Sequence, residues 1–165
     1  MHSGDVGQVY PNGTIKIIDR SKNIFKLSQG EYLAPEKLEN AYIQSELVTQ
    51  IMIYGDSFKN CAVGIVVPDE IALENWAKGK GIEPDKVYED QDEYAALVLA
   101  SINDVAKAQK FNSLEKPKKI LLVKEPFSVE NDMLTPTFKM KRNVAKKVYQ
   151  SQIDEMYAKL AEIGQ

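Results

Sequence analysis

Cysteine and histidine are almost absent from this sequence of 165 residues, each occurring once, as Cys61 and His2. A single cysteine cannot form an internal disulfide, and we expect Cys61 to be a small buried apolar side chain rather than a reactive thiol. One cysteine and one histidine cannot supply the ligands of a structural zinc site, so no metal site is predicted. A Ser-His-Asp triad would have to use His2, which lies at the start of the chain.

Long apolar runs are also missing. The run Ala62–Val67, for example, is interrupted by Gly64, whereas a spanning helix needs about 20 apolar residues. The sequence does not begin with the charged and then apolar pattern of a signal peptide. No membrane span and no secretion are predicted, and the low cysteine content indicates a reducing compartment such as the cytoplasm.

The common signatures of catalysis are absent as well. The sequence contains no G-x-G-x-x-G, G-x-x-x-x-G-K-[ST], H-E-x-x-H, C-x-x-C or G-x-S-x-G, the motifs of dinucleotide, phosphate-loop, metalloprotease, redox and hydrolase sites. No recognised nucleic-acid-binding pattern accompanies its basic residues, so nucleic acid is not expected as a partner.

What the sequence does contain is enough apolar material for one globular core, at 44% hydrophobic and 27% charged residues. Its charge is unevenly distributed. Residues 69–93 carry nine acidic and three basic side chains, whereas residues 110–147 carry ten basic and four acidic ones. The basic region favours contact with an anion, although a solvated charged face would have the same composition.

Alternating strand and helix patterns predict an α+β fold. Asn12-Gly13 predicts a type I′ hairpin turn between strands at Gln8–Tyr10 and Thr14–Ile18. A short strand is expected at Ile24–Lys26, and a helix is expected to begin near Pro35. We further expect paired strands at Val48–Tyr54 and Ala62–Val67, a helix at Asp69–Lys80 ended by Gly79 and Gly81, a helix at Asp92–Lys110, a strand at Ile120–Val123, and a loop at Pro126–Thr137.

Two apolar stripes define the long helices. The stripe of the helix at Asp92–Lys110 consists of Leu97, Val98, Ile102, Val105 and Ala106. The last helix begins near Arg142 and carries Ala145, Val148, Tyr149, Ile153, Met156, Tyr157 and Leu160 on one face. The predicted domain is therefore a short mixed sheet flanked by three or four helices and preceded by a β-hairpin.

Three segments have side chains suited to a phosphorylated ligand. The carboxylate of Asp5, beside Gly4, suits hydrogen bonds to sugar hydroxyls, although an ordinary turn explains the pair equally well. Arg20 offers a guanidinium that can bind an anion with two hydrogen bonds. Lys139 lies between a proline and a basic helix start, where its ammonium could reach a phosphate or a developing negative charge.

Together these segments resemble the C-terminal region of the adenylate-forming acyl-CoA synthetases, and most closely the long-chain fatty acid CoA ligases. The resemblance extends from His2 to about Tyr157. It rests on Gly-Asp-Val-Gly at residues 4–7, on the run from Ile17 to Lys37, and on Leu-Thr-Pro-Thr-Phe-Lys-Met-Lys-Arg at residues 134–142.

The resemblance implies a two-step reaction in a longer enzyme. A fatty acid carboxylate attacks the α-phosphate of ATP, with Mg²⁺, and gives an acyl-adenylate and pyrophosphate. The thiol of CoA then displaces AMP. A small C-terminal lid rotates about a hinge between the steps and presents different faces to the two reactions.

By motif position, the resemblance assigns a role to each candidate residue. Asp5 would bind the ribose hydroxyls, Arg20 would approach the ribose and phosphates, and Asp19 would be the hinge. Lys139 would stabilise charge during adenylate formation. The loop of Ser28, Gln29, Gly30 and Glu31 would line the CoA tunnel during thioester formation, where Gly30 lets the backbone approach the pantetheine arm.

The same resemblance divides the chain and names its partners. Residues 1–18 would be the tail of a preceding N-terminal adenylation domain, and residues 19–165 would be the lid. The preceding domain would hold the ATP phosphate loop and the acyl tunnel, so the lid alone should be inactive and bind no cofactor tightly. The enzyme would be cytoplasmic, with any contact to a membrane surface made through the missing N-terminal part.

The sequence differs from the superfamily pattern at two positions, and it allows two alternative functions. The superfamily usually has glycine before the catalytic lysine, where this chain has Phe138, and many relatives have an acidic residue where it has Asn23. One alternative is an adenylate-forming ligase whose acceptor is not CoA. The other is an interaction module that keeps the lid fold and has no catalytic role.

Overall fold

The computed structural model describes residues 3–21 and 23–164, without the side chain of Asp19. The predicted α+β class is confirmed. The strands are β1 (Asp5–Val9), β2 (Ile15–Arg20), β3 (Phe25–Lys26), β4 (Tyr32–Leu33), β5 (Val48–Tyr54), β6 (Val63–Pro68) and β7 (Lys119–Leu122). The helices are α1 (Pro35–Tyr42), α2 (Glu70–Lys80), α3 (Lys86–Glu89), α4 (Asp92–Ala108), α5 (Arg142–Val148) and α6 (Gln150–Glu162).

The central sheet is mixed, in the order β5-β6-β7. Strands β5 and β6 are antiparallel, whereas β6 and β7 are parallel. A parallel pair needs a crossover connection, and α2, α3 and α4 supply it. Strand β5 is therefore one edge of the sheet, and α1 and the segment before α5 lie beside it.

Each face of the sheet is covered by a separate apolar core. Successive side chains of a strand point to opposite faces, and β6 divides in this way: Val66 joins one core, whereas Val63 and Ile65 join the other. The first core includes the apolar faces of α1, α2 and α4, and the second includes those of α5 and α6. The helices therefore form one layer on each side of the sheet.

The N-terminal hairpin of β1 and β2 is confirmed, but its predicted turn type is wrong. The amide of Gly13 donates to the carbonyl of Tyr10 at 2.9 Å. Within this turn only Gly13 has a positive φ, of +82°, whereas a type I′ turn needs two such residues. Pro11, with its fixed negative φ, occupies the second position of the turn and places Asn12 third. Gly13 follows as the left-handed residue.

The helix after β6 was predicted correctly, including its end at Lys80, except for the role given to Gly79. The carboxylate of Asp69 caps α2 by accepting a hydrogen bond from the amide of Ala72 at 2.9 Å. Gly81, at φ +70°, is the left-handed residue that ends the helix. Gly79 lies inside α2, so its predicted role in termination is wrong.

The prediction of which helical residues face the core was partly wrong. In α4, Tyr94 is fully buried and Leu97 is largely exposed, because Tyr94, Val98 and Ile102 follow the helical repeat that faces the core. The predicted last helix is two helices, α5 and α6, interrupted at Tyr149. The interruption shifts the repeat, so Val148 is exposed rather than part of the stripe.

Two features are absent from the described part of the chain. No helix there is long and apolar enough to cross a bilayer. Across residues 3–21 and 23–164, no group of three or more His, Cys, Asp or Glu side chains is arranged to hold a metal ion.

Candidate functional site

A groove of about 650 Å³ runs beside the edge strand β5, between α1 and residues 134–140. We call it the Lys139 groove. Three cationic side chains line it: Arg20 from the end of β2, Lys139, and Arg142 from the start of α5. Two carboxylates of α1, Glu36 and Glu39, line it as well. The fold thus brings two predicted site residues, Arg20 and Lys139, to one groove.

Lys139 is carried by a short closed turn, which we call the Lys139 hairpin (residues 134–140). Leu134 and Met140 form an antiparallel bridge at its base. The amide of Thr135 donates to the carbonyl of Lys139 at 2.8 Å, and the amide of Lys139 donates to Oγ1 of Thr135 at 3.1 Å. These bonds fix the backbone from which the lysine side chain extends.

The backbone conformation of Phe138 allows the Lys139 hairpin to close. Its φ is +61°, in the left-handed region that favours glycine. Its amide donates to the carbonyl of Thr135 at 2.8 Å, and its side chain is 75% exposed. The backbone conformation at this position therefore favours glycine, although the residue is a phenylalanine whose ring lies mostly in solvent at the groove.

The ammonium of Lys139 pairs with Glu36 across the groove. The Nζ–Oε1 distance is 3.0 Å, and the two side chains are 69% and 35% exposed. A solvated pair of this kind contributes about 0–1 kcal/mol. Lys139 is therefore held near α1 by an interaction that another anion can replace.

Arg142 and Glu39 form a stronger and less accessible pair. The Nη1–Oε1 and Nη2–Oε2 distances are 2.6 and 2.7 Å, and the side chains are only 21% and 12% exposed. Oε1 of Glu39 also accepts a hydrogen bond from the amide of Ile53 at 2.9 Å. One carboxylate thus joins α1, the edge strand β5 and the start of α5, directly after the Lys139 hairpin.

Sequence reasoning did not find the roles of Glu36, Glu39 and Arg142. A signal existed in their spacing, since the two acids lie three residues apart on one helix and Lys139 and Arg142 are also three apart. That spacing places the two acids on one side of α1. It could not show that the two segments meet, because they are separated by 103 positions.

Asp5 and Arg20 are brought together by the hairpin of β1 and β2. Asp5 and Arg20 are directly opposite each other in the strand pair. Next to them, the amide of Ser21 donates a hydrogen bond to the carbonyl of Gly4 at 2.7 Å. Arg20 reaches the Lys139 groove, whereas Asp5 does not line it. The backbone of Asp19 pairs with Val6 next to a register shift, and the side chain of Asp19 lies outside the described structure.

The loop of Ser28, Gln29, Gly30 and Glu31 is the tip of the hairpin of β3 and β4. The amide of Leu27 donates to the carbonyl of Glu31 at 2.8 Å and closes the loop. Gly30 has a φ of +90°, which an L side chain rarely adopts. The loop is therefore exposed and tightly turned, and glycine is required at Gly30 by the backbone itself.

This loop lies away from the Lys139 groove. The amide of Ser28 donates to the carbonyl of Lys59 at 2.9 Å, and Nε2 of Gln29 donates to the carbonyl of Asn60 at 2.7 Å. Both acceptors belong to the turn that follows Tyr54, at the end of β5, whereas the groove is lined by residues 49–51 at the start of β5. The two candidate segments thus lie near opposite ends of one strand.

Cys61 has the structural role predicted for it. The side chain is buried in the second core. Burial raises the pKa of the thiol above its usual range, although the charges of Lys118 and Lys59 act in the opposite direction. A buried thiol with a raised pKa is a poor nucleophile, so Cys61 is not a candidate site residue.

The groove has the groups needed to bind an anionic ligand. Ammonium and guanidinium groups form charge-assisted hydrogen bonds with phosphates and carboxylates, and here three of them converge. The described residues offer no metal cluster, and the arrangement by itself provides cationic contacts rather than a complete nucleotide pocket.

Comparison with protein families places this geometry in a known context. The profile of the family described as "AMP-binding enzyme C-terminal domain" matches residues 22–161, which is most of the chain. The matched range includes the loop at residues 28–31, both acids of α1 and the Lys139 hairpin.

Curated proteins with similar sequences are acyl-CoA-forming ligases by name. "Long-chain-fatty-acid--CoA ligase 6" of Mus musculus is 46% identical over 160 residues, covering 95% of this chain and 23% of its own length. "Long chain acyl-CoA synthetase 7, peroxisomal" of Arabidopsis thaliana is 44% identical over 163 residues, covering 98% of this chain and 23% of its own length. The chain thus spans about a quarter of the length of these relatives.

A solved structure shows the same fold. The A-PCP didomain of a carboxylic acid reductase from Segniliparus rugosus, in complex with AMP, superimposes with a TM-score of 0.83 at 33% identity. The match covers 98% of this chain and 21% of that one. Both the sequence and the backbone therefore correspond to one segment of a larger protein.

Proposed function

Since this chain belongs to the AMP-binding enzyme C-terminal domain family, we propose that it is the lid of an ATP-dependent long-chain fatty acid CoA ligase. The observation that carries the proposal is Lys139, an exposed ammonium on a backbone fixed by hydrogen bonds, at the edge of a groove with two further cations. Identities of 44–46% to named long-chain ligases support the choice of reaction class.

In this proposal the full-length enzyme performs two steps. A fatty acid carboxylate attacks the α-phosphorus of ATP, which gives the acyl-adenylate and releases pyrophosphate. The sulfur of CoA then attacks the acyl carbon and AMP leaves. Lys139 stabilises the negative charge that builds up between the carboxylate and the α-phosphate, because a positioned cation in a closed site binds such charge more strongly than water does. Mg²⁺ would lie with the triphosphate on the preceding domain.

The separation of the two candidate segments supports a lid that presents different regions in the two steps. The Lys139 groove lies at the start of β5, and the loop at residues 28–31 lies at its end. The groove and the loop cannot both face one reaction centre at the same time. A rotation about Asp19 would therefore bring first one and then the other to that centre. Arg20 would follow the groove, and Asp5, across the strand pair, would bind the ribose from the other side of the hinge.

The hairpin of β1 and β2 supports the proposed domain division. Val9, Ile15 and Ile17 are all largely exposed, and Val9 lies directly opposite Ile15 in the strand pair. An apolar hairpin face of this kind is expected to be covered by other protein. We propose that residues 1–18 complete a preceding adenylation domain and that the lid begins at Asp19.

The cysteine content supports a proposal for the cellular location of the enzyme. The low cysteine content supports a reducing compartment, and we propose the cytoplasm. The Arabidopsis relative is named peroxisomal, so the same lid is compatible with more than one compartment.

The proposed reaction is tested with the full-length protein that carries this chain. Exchange between ATP and labelled pyrophosphate should require a long-chain fatty acid, and acyl-CoA should form only when CoA is added. Adenylate formation without a CoA product would favour an acceptor other than CoA, as the similarity to a carboxylic acid reductase allows. Absence of exchange with any fatty acid would leave only the non-catalytic alternative.

The role of the loop at residues 28–31 is tested by Gly30→Ala. A Cβ at Gly30 would contact only the flexible end of Lys26, at 3.8 Å, but φ +90° makes any side chain strained. Gly13→Ala is the matched control, because Gly13 has φ +82° and open space around it. We expect Gly30→Ala to slow thioester formation and spare adenylation, whereas Gly13→Ala should slow neither. Equal thioester rates in the two variants would remove the loop from the CoA site.

A further inference from the structure

The two ion pairs of the groove differ in burial and in their hydrogen bonds, although their residues have the same spacing along the chain. Helix α1 presents Glu36 and Glu39, and the opposite wall presents Lys139 and Arg142 at the same spacing. The Glu39 pair has two short hydrogen bonds and is mostly buried, whereas the contact between Glu36 and Lys139 is 3.0 Å long and its two side chains are 35% and 69% exposed. One pair is therefore suited to permanent attachment and the other to exchange.

The buried pair fixes the wall from which Lys139 extends. Glu39 binds Arg142 and the amide of Ile53 together, so α5 cannot shift along β5 without breaking either its two hydrogen bonds to Glu39 or the bond between Glu39 and Ile53. The hydrogen bonds around Thr135 fix the rest of the Lys139 hairpin. What remains free to move is the side chain of Lys139, whose four-carbon stem lets the ammonium change partners.

We propose that Glu36 is a positioning residue that holds the ammonium of Lys139 against α1 until an anionic substrate replaces it. This inference rests on the proposed function, because the substrate in question is the pair of a carboxylate and a nucleoside triphosphate. Glu36 competes for Lys139 and also places a negative charge in a groove that anions must enter. It keeps the lysine out of the reaction centre and lowers the rate of adenylation.

The opposite role for Glu36 predicts an opposite result. A carboxylate that aimed Lys139 at the reaction centre would raise the adenylation rate, and its removal would slow the reaction. Both roles use the same contact in the free lid, so kinetics rather than geometry separates them. The sign of the change in Glu36→Gln is therefore the decisive observation.

The experiment measures ATP–pyrophosphate exchange by full-length Glu36→Gln at low ionic strength. Because exposed ion pairs contribute up to about 1 kcal/mol, we expect kcat/KM for ATP to rise about two- to fivefold. The rise should shrink at high salt, where screening weakens the pair in the wild type. Conversion of supplied acyl-adenylate to acyl-CoA should not change. An unchanged or lower exchange rate would overturn the inference.

Asp132→Asn provides the matched control. Asp132 pairs with Lys141, both partners are accessible, and neither lines the Lys139 groove. Removing that carboxylate changes the net charge of the lid by the same amount as Glu36→Gln. Exchange by Asp132→Asn should match the wild type, and an equal rise in both variants would show that general charge, rather than release of Lys139, is responsible.

A double variant separates failure of this inference from failure of the proposed function. In a Lys139→Ala background, Glu36→Gln should no longer raise exchange, because the contact through which Glu36 acts on Lys139 is already gone. If Lys139→Ala lowers exchange and Glu36→Gln still raises it there, Glu36 does not act through Lys139. If the wild type shows no exchange, or Lys139→Ala exchanges normally, the proposed function itself is wrong.

Chemical labelling gives a readout besides activity. Mild acetylation followed by mass spectrometry should label Lys139 about two- to fivefold faster in Glu36→Gln than in the wild type, because loss of the ion pair frees its amine. The labelling of Lys37, which pairs with Glu115, should be the same in both proteins. Equal labelling of Lys139 would overturn the inference, whatever the kinetics show.

Discussion

Arg142 and Glu39 lie 103 positions apart in the chain, yet the two guanidinium Nη atoms of Arg142 donate to the two carboxylate oxygens of Glu39 at 2.6 and 2.7 Å. Glu39 comes from α1, which packs on the first core, and Arg142 begins α5, which packs on the second. This contact therefore joins the two helical layers at the edge of the sheet, beside the Lys139 groove.

The first prediction concerns this pair. Arg142→Lys keeps the positive charge but cannot make two parallel hydrogen bonds, so it should lower the free energy of unfolding by about 1–2 kcal/mol. Lys80→Arg, in the exposed pair with Glu93, should change stability by less than about 0.5 kcal/mol. Urea denaturation of both variants measures the difference. Similar losses would show that the Glu39 pair has no special structural role.

Much of the fold could be predicted because the patterns that specify it are local. Strands β5 and β6 follow from two β-rich runs, α1 begins at its proline, and the hairpin of β1 and β2 follows from a turn sequence. Errors arose where a tertiary contact determined the outcome. In α4, Tyr94 rather than Leu97 faces the first core. The break between α5 and α6 at Tyr149 changes which side of the last helical segment is buried.

The site was predictable in part for the same reason. Arg20 and Lys139 were found from motifs, and the structure brings both to one groove. The spacing of their neighbours Glu36 and Glu39 on one helix did not mark them as site residues, since acidic residues near the start of a helix are common. Only the packing of residues 134–142 against α1 gives those carboxylates a partner.

The second prediction concerns Phe138. A non-glycine residue at φ +61° costs about 1 kcal/mol or more. Phe138→Gly should therefore be at least as stable as the wild type, whereas Phe138→Val, with a branched side chain at the same φ, should lose about 1 kcal/mol. Phe58, an exposed phenylalanine without positive φ, is the control. Phe58→Gly should be destabilising, by about 0.5–1 kcal/mol, and a loss of that size in Phe138→Gly would contradict the strain argument.

The third prediction compares two glycines with opposite surroundings. A Cβ at Gly55 would lie 2.6 Å from Cε2 of Phe25 and 3.1 Å from Cδ2 of Leu27, so Gly55→Ala should destabilise the fold by about 1–3 kcal/mol. A Cβ at Gly79, inside α2, would meet nothing within 4 Å. Gly79→Ala should raise stability by about 0.5–1 kcal/mol, because alanine favours the helix. Thermal or urea unfolding should give opposite signs, and the same sign for both would contradict the packing described.

The fourth prediction concerns alkaline pH. Burial, together with the charges of Asp69 and Tyr88, raises the pKa of Tyr94 from its ordinary value of 10.0 to about 12. Burial is also the main cause that raises the pKa of Tyr42, Tyr54 and Tyr157. Below pH 10 these tyrosines are protonated in both states, so their contribution to stability is complete. Above pH 10 the unfolded chain loses protons first, and stability falls as the pH rises towards the folded-state values.

Two phenylalanine variants check this account. No described residue bonds the buried hydroxyl of Tyr94, so Tyr94→Phe should keep or raise stability at pH 7 and reduce the loss between pH 10 and 12. Tyr157 donates to the carbonyl of Cys61 at 2.8 Å, so Tyr157→Phe should cost about 1 kcal/mol at pH 7. Urea midpoints across this pH range measure both effects. A wild-type midpoint that stays constant from pH 9 to 12 would contradict the assignment.

The most direct test of the proposed function is the effect of Lys139→Ala on the two half-reactions of the full-length enzyme. An interaction made mainly in the transition state is worth roughly 3–4 kcal/mol, so adenylate formation should fall about a hundredfold to a thousandfold. Conversion of supplied acyl-adenylate to acyl-CoA should stay within a few fold. Lys141→Ala, on the same segment, should retain most of the adenylation rate. Equal losses in both half-reactions of Lys139→Ala, or a larger adenylation loss in Lys141→Ala, would contradict the account.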